Sequence, residues 1–175
     1  KVIFSKYCRL ENEEKLQLTS NEEYIEAFQE VFQRAVADRL RTHHHVGSQL
    51  SGGLDSGSVV SFAARALRKE NKKLNTYSYV PVDDFNDWTS KYEIANESPF
   101  IQSTIQHVGN INDNYLNYEG KSSLSEVNDW LEIMEIPYKF FENSFCLKGI
   151  FEKAQQQGVG ILLNGARGNY TISWG

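Results

Sequence analysis

The chain has 175 residues, 40% of them apolar, and a formal net charge of -5. That length supports one domain with a real core, and the negative balance excludes the basic footprint that a nucleic-acid backbone demands. No run approaches the roughly 18 apolar residues that span a bilayer, and the start, Lys1-Val2-Ile3-Phe4-Ser5, has no secretory pattern, so a cytoplasmic protein without membrane contact is expected.

Residues 21–41 place Tyr24, Ile25, Phe28, Val31, Phe32, Ala35, Val36 and Leu40 at helical spacing, which predicts a helix with one buried face. Thr19, Ser20 or Asn21 caps it, and Glu22 and Glu23 stand in its first turn. Val46-Gly47-Ser48-Gln49-Leu50 reads as a short buried strand, and the glycine turn Ser51-Gly52-Gly53-Leu54-Asp55-Ser56 follows it. From Gly57 the spacing is helical again, ending in Arg65, Arg68 and Lys69, as the helix dipole prefers.

Residues 74–80 then predict a second strand, stopped at Pro81. Strand, glycine turn, helix, strand is the crossover unit of a parallel sheet. The stretch Asp83-Asp84-Phe85-Asn86-Asp87-Trp88 reads as a loop above the sheet, either a lid or a packing element. Residues 97–108 predict a helix opened by Ser98-Pro99, residues 110–118 a further strand, and residues 125–134 and 145–157 two helices. Val159 to Leu163 is a buried strand that runs into a second glycine turn, Asn164-Gly165-Ala166-Arg167-Gly168-Asn169.

Cys8 and Cys146 form no Cys-x-x-Cys pair and read as small apolar residues. Three consecutive histidines, His43 to His45, cannot all face one ion and read as a solvated turn.

The first glycine turn carries the chemistry. It lies between a strand and a helix, where open parallel sheets bind ligands at the carboxyl ends of their strands. Gly52 and Gly53 let backbone N–H groups converge on an anion, and the positive helix end adds attraction. Ser51 and Ser56 offer hydroxyls, and Asp55 is a hard oxygen ligand for magnesium. No Gly-Lys-Ser/Thr ending is present, so this is not a Walker loop, nor is it the Gly-x-Gly-x-x-Gly of dinucleotide binders.

Leu50-Ser51-Gly52-Gly53-Leu54-Asp55-Ser56 resembles the pyrophosphate-loop signature of the asparagine synthetase family, whose relatives include beta-lactam synthetases and lasso-peptide cyclases. The resemblance runs from the helix before the loop, through Thr76-Tyr77-Ser78-Tyr79, to the second glycine turn. It implies an α/β, doubly wound parallel sheet of the adenine nucleotide alpha hydrolase-like type, with residues 1–45 as a helical lead-in and 46–175 as the nucleotide-binding core. The piece is expected to belong to a longer chain.

The implied reaction is ATP-dependent carbon–nitrogen ligation, in which a small-molecule carboxylate becomes an acyl-adenylate, pyrophosphate leaves, and ammonia or an amine attacks. A glutaminase domain elsewhere in the full chain would supply ammonia. By the same match Leu50 and Tyr79 or Val80 touch adenine, while Ser51, Gly52, Gly53, Asp55 and Ser56 hold pyrophosphate and its Mg2+.

The family's second motif is Gly-x-Gly-x-Asp-Glu. Here it is Gly165-Ala166-Arg167-Gly168-Asn169-Tyr170, so an uncharged Asn169 replaces the metal-binding aspartate and Tyr170 the glutamate. Gly165 and Gly168 keep the close-approach role, and Arg167 is either a phosphate partner or a surface loop residue. Glu135 and Glu142 fall where relatives place acids near the substrate, though solvated helix ends explain both. No catalytic side chain is assigned. Two rival readings remain, a lasso-type cyclase using the same adenylation and a nucleotide-binding module that has lost turnover.

Overall fold

The computed structural model describes residues 2–7, 15–139 and 141–170; Cys8, Phe140 and the last five residues lie outside them. The chain divides into two compact units, residues 1–34 and 35–175. In the first unit, helix α1 (Asn21–Ala37) begins and is fixed by local bonds. The Glu23 amide donates to Ser20 Oγ at 3.2 Å, and Thr19 donates to the Glu23 carboxylate at 2.7 Å, which holds that carboxyl below its usual range. Tyr24, Ile25, Phe28 and Val31 stay more than 40% exposed. The expected buried face is therefore open over this stretch; helical spacing marks a face that can be covered, not one that is.

The second unit is built on four parallel strands: β1 (His45–Gln49), β2 (Leu74–Tyr79), β3 (Ile111–Leu116) and β4 (Val159–Leu163). Their order is β3-β2-β1-β4. Gly47 pairs with Asn75 on one side and Leu162 on the other, so β1 is the central strand from which the chain winds both ways.

The helices of this unit are α2 (Leu54–Arg68), α3 (Ser98–Val108), α4 (Val127–Met134) and α5 (Ser144–Gln156). Strand alternation sorts the two faces of the sheet. On one lie Val46, Ser48, Leu74 and Thr76, at 3% exposure or less, together with the apolar stripe Val60, Ala63, Ala64 and Leu67 of α2. The buried Ser48 hydroxyl donates to the Gln49 carbonyl at 3.2 Å, whereas Thr76 Oγ1 has no hydrogen-bond partner among the described residues. On the other face, Tyr77 packs with Ile150 and Ala154 of α5, and Leu162, Val159 and Leu116 close the cluster.

Gly47 makes that second face possible, since a Cβ there would lie 2.9 Å from the Tyr77 ring. The Tyr77 hydroxyl donates to Gln157 Oε1 at 2.5 Å, and Gln157 Nε2 donates in turn to Asn114 Oδ1 at 2.8 Å. This polar chain ties the end of α5 to two strands.

Away from the sheet, Glu126 is 4% exposed and accepts from Lys121 at 2.7 Å and from Lys148 on α5. Lys148 also reaches Asp129 on α4. Two charges at Glu126 hold its carboxyl down at about 2, with Lys121 the larger influence and Lys148 next. Burial of such an acid is stable only because it is paired.

Two boundaries differ from expectation in a way that matters. Helix α2 begins at Leu54, not near Gly57, with Gly53 as its N-cap. Asp55 and Ser56 thus sit in the first helical turn instead of the preceding loop, because a Gly-Gly pair ends at the cap and leaves no spacer. The polar segment of residues 81–97 is irregular, and Trp88 on it is 82% exposed. Among the described residues no helix is long and apolar enough to cross a membrane.

Candidate functional site

The central strand and its neighbour β4 leave their carboxyl ends side by side, and each ends in a glycine turn. This is the point where strand order reverses, the crevice in which open parallel sheets take ligands. A cavity of about 480 Å³ opens there. Leu50, Ser51, Gly53, Asp55 and Ser56 line it from the first turn, Gly165 and Ala166 from the second, and Tyr79 from the end of β2. A larger cavity of about 910 Å³ lies by the amino end of β1 among His43, His44, His45, Lys72 and Lys73. It touches neither glycine turn and has no helix start facing it.

The first turn is folded on itself by serine hydroxyls. Ser56 is 7% exposed, and its Oγ accepts from the Ser51 amide at 3.1 Å and lies 2.9 Å from Ser51 Oγ. Ser51 Oγ in turn accepts from the Gly53 amide at 3.2 Å. The Ser56 hydroxyl, expected to donate to a ligand, is committed here to holding the loop shape.

Helix α2 has no side-chain cap, and its first internal bond runs from the Gly57 amide to the Gly53 carbonyl at 3.1 Å. The N–H groups of Leu54, Asp55 and Ser56 precede that bond and have no acceptor within the helix. An uncapped, fifteen-residue helix thus presents open donors and its positive end to the cavity.

Gly52 is different: its amide donates to Glu97 Oε2 at 3.0 Å. Glu97 comes from the foot of α3, forty-five residues on, and lines the same cavity. Its carboxylate stands in for an anionic oxygen on a loop donor. Sequence reading did not single out Glu97, because nothing local announces a partner so distant in the chain. Cys146, Leu147 and Ile150 of α5 line the cavity as well, also unforeseen. The Cys146 thiol is pushed up to about 11 by burial, which makes it a wall and not a nucleophile.

The second turn lies hard against the first. A Cβ on Gly165 would come within 2.6 Å of the Ser56 amide nitrogen, and one on Gly168 within 2.7 Å of Asp55 Oδ1. Only glycine allows this approach. It buries Asp55 Oδ1, which has no hydrogen-bond partner among the described residues. Asn169 follows directly, with its side chain exposed in the sequence position next to this contact.

Arg167 has φ +69, a conformation that favours glycine, and is exposed. Its position in the motif is the second glycine of the Gly-x-Gly-x-Asp-Glu pattern, so the backbone keeps a glycine conformation under an arginine. It does not border the cavity.

Of the remaining predicted contacts, Leu50 is 2% exposed and forms a floor, whereas Tyr79 is 42% exposed at the rim. Tyr79 stacks on Tyr118 with centroids 6.3 Å apart and meets the edge of Phe145 at 5.7 Å. Val80 is half-buried, gives its amide to Leu116 and does not border the cavity. Nor do Glu135 and Glu142. The side chain of Tyr170 lies outside the described residues.

Fold and site together define an α/β protein of the adenine nucleotide alpha hydrolase-like type, with a glycine turn at its switch point. The family model for asparagine synthase matches residues 27–169, and the chain belongs to that family of ATP-utilising synthetases. Among solved structures it is similar to an NH3-dependent NAD synthetase from Campylobacter jejuni subsp. jejuni NCTC 11168 in complex with the nitrate ion, at a TM-score of 0.52 and 12% identity. At that identity the likeness concerns the fold alone, and the match covers 86% of this chain and 60% of that one, less than two thirds of its length. No curated protein sequence matches.

Proposed function

We propose that this chain is the ATP-binding part of an asparagine-synthetase-like amide-forming enzyme, which activates a carboxylate as an acyl-adenylate with release of pyrophosphate. The observation that carries the reading is the uncapped start of α2, open into a cavity at the sheet's switch point, with a carboxylate already on the neighbouring Gly52 amide.

On this reading the open amides of the first turn of α2 bind the pyrophosphate, and those of Gly52 and Gly53 join them when the ligand displaces Glu97 and Ser51 Oγ, with Ser56 holding the loop shape. Leu50 and Tyr79 receive the adenine, the tyrosine offering its ring edge and face. Gly165 and Gly168 bring the second turn close enough to wall off water. Attack of the carboxylate oxygen on the α-phosphorus breaks the bond to the bridging oxygen, and pyrophosphate leaves with that electron pair. Ammonia or an amine then attacks the acyl carbon and AMP departs.

Magnesium fits the residues present. Asp55 Oδ1 is buried without a partner, and a nucleotide-bound magnesium needs only one or two protein carboxylates, the rest being phosphate oxygens and water. That no group of three or more His, Cys, Asp or Glu side chains placed to hold a metal ion is found among the described residues is compatible with such a site. Asp55 would hold the ion with Asn169 as a neutral second ligand, and the ion would supply charge neutralisation to the phosphates.

The test is substrate-dependent ATP/pyrophosphate exchange on the intact protein with a panel of amino acids and peptide carboxylates. Exchange with aspartate supports amide synthesis, and exchange only with peptide acids supports a lasso-type cyclase. Asn169 in place of the family's acid favours one second reading, a nucleotide-binding module without turnover. Tight ATP binding with no exchange under any acid would establish that module and overturn the enzyme. The acid substrate, the amine donor and an accompanying glutaminase domain are parts of the proposal, as is a cytoplasmic setting.

A further inference from the structure

We infer that Glu97 is a specificity-determining residue of the phosphate loop, a resident carboxylate that selects metal-complexed over bare polyphosphate. The inference rests on the loop being a phosphate site.

Glu97 Oε2 accepts from the Gly52 amide at 3.0 Å, in the position an anionic ligand oxygen would take. The residue is held there by its backbone. The Glu97 carbonyl accepts from the amides of Phe100 at 3.0 Å and Ile101 at 3.1 Å, which fixes it at the foot of α3. Gly52 permits the approach, because a Cβ on it would lie 3.1 Å from the Cβ atoms of both Glu97 and Phe100. The loop is therefore shaped around this carboxylate, and α3 delivers it whenever the fold forms.

Two consequences follow from charge. The carboxylate keeps the Gly52 amide satisfied, so the loop is pre-organised. A bare pyrophosphate must then displace one anion from a donor while a second, Asp55, stands in the same cavity, and like charges in a partly desolvated site repel. A ligand that carries a divalent cation meets no such penalty, since the cation offsets both carboxylates. Asn169 is neutral, so Glu97 restores to the cavity the second negative group that the second motif has given up.

The experiment is isothermal titration of the intact protein and its Glu97→Gln variant with pyrophosphate, in EDTA and in excess magnesium. Glutamine keeps the shape and the acceptor and removes the charge. Metal-free pyrophosphate should bind the variant about tenfold more tightly, roughly the worth of one charged hydrogen bond, and the two proteins should converge in magnesium. Glu97→Asp, which keeps the charge but shortens the reach, should release the Gly52 amide, read as an upfield shift of its proton NMR resonance that added pyrophosphate reverses.

Equal tightening with and without magnesium would overturn the selectivity. Wild-type binding with an unchanged or weaker variant would overturn the role of Glu97 and leave the phosphate site standing. Failure of all three proteins to bind pyrophosphate at millimolar concentration would overturn both.

Discussion

Gly165→Ala tests whether the two glycine turns are in the register described. The added Cβ would sit 2.6 Å from the Ser56 nitrogen, 2.8 Å from the Asp55 carbonyl carbon and 2.9 Å from Ser56 Cα. The shortest of these falls about 0.8 Å below the 3.4 Å at which ordinary contact begins. All three atoms are backbone, in the first turn of a helix anchored by Val60, Ala63, Ala64 and Leu67 at 2% exposure or less. No side chain can swing aside, so β4's turn or the helix start must move. Overpacking of this kind costs about 1–3 kcal/mol, and about 2 kcal/mol lowers the midpoint of a domain this size by roughly 4–8 °C. Urea and thermal unfolding followed by circular dichroism read the loss, and titration with magnesium pyrophosphate reads the distorted loop. Gly53→Ala is the control, because its Cβ would meet only Ser51 Oγ at 3.4 Å, and it should cost under about 1 kcal/mol. A Gly165→Ala protein that melts with the wild type would refute the packing of the second turn on α2.

Arg167→Gly should raise stability by about 1 kcal/mol, since it removes a side chain from a left-handed backbone; a lower melting point would show that the arginine makes a stabilising contact. Asp55→Ala should weaken magnesium-dependent ATP binding on the order of tenfold while costing at most about 1 kcal/mol of stability through the helix dipole. Unchanged ATP affinity would remove Asp55 from the metal site. Glu126 ionises near 2 in the folded protein against 4.5 ordinarily, so the native state favours its charged form. Its contribution is fully present above pH 4.5 and fades as pH falls toward 2. Glu126→Gln should therefore flatten the acid side of the stability profile, and a profile identical to wild type would deny the Lys121 and Lys148 pairing.

Much of this fold was legible because its signals are local. The strand Val159 to Leu163 is a bare apolar run, and the helix after Gly53 carries its stripe at regular spacing, so element type and order followed from periodicity. The first turn stood out in the sequence because Ser51, Asp55 and Ser56 accompany its Gly-Gly pair between a strand and a helix, more polar groups than a turn needs. What escaped is non-local. Glu97 reaches Gly52 only because α2 and α3 pack side by side, and Cys146 and Leu147 enter the cavity only because Tyr77 draws α5 across the sheet. The early start of α2 escaped for a different reason. Asp55 and Ser56 are cap-forming residue types, and spacing alone cannot say that a glycine has taken the cap before them.

The altered second motif gains its meaning from the electrostatics of the whole cavity. A site made of amide donors and a helix start attracts phosphate strongly, and fixed carboxylates temper that attraction so that a cation must accompany the ligand. The family pattern places such a carboxylate at position 169, directly after the glycine that touches Asp55. Here that position is Asn169, which can coordinate but cannot neutralise, while Glu97 brings a full charge to the opposite wall through Gly52. Glu97 thereby brings to this cavity one acidic group where the second motif has given up two, at Asn169 and Tyr170. On the proposed reading, metal-dependent binding survives the loss of the acid at 169 because Glu97, at the foot of α3, carries a charge in the same cavity. The double substitution Glu97→Gln with Asn169→Asp separates the two placements, because restoring the motif's acid should return the magnesium preference that removing Glu97 takes away.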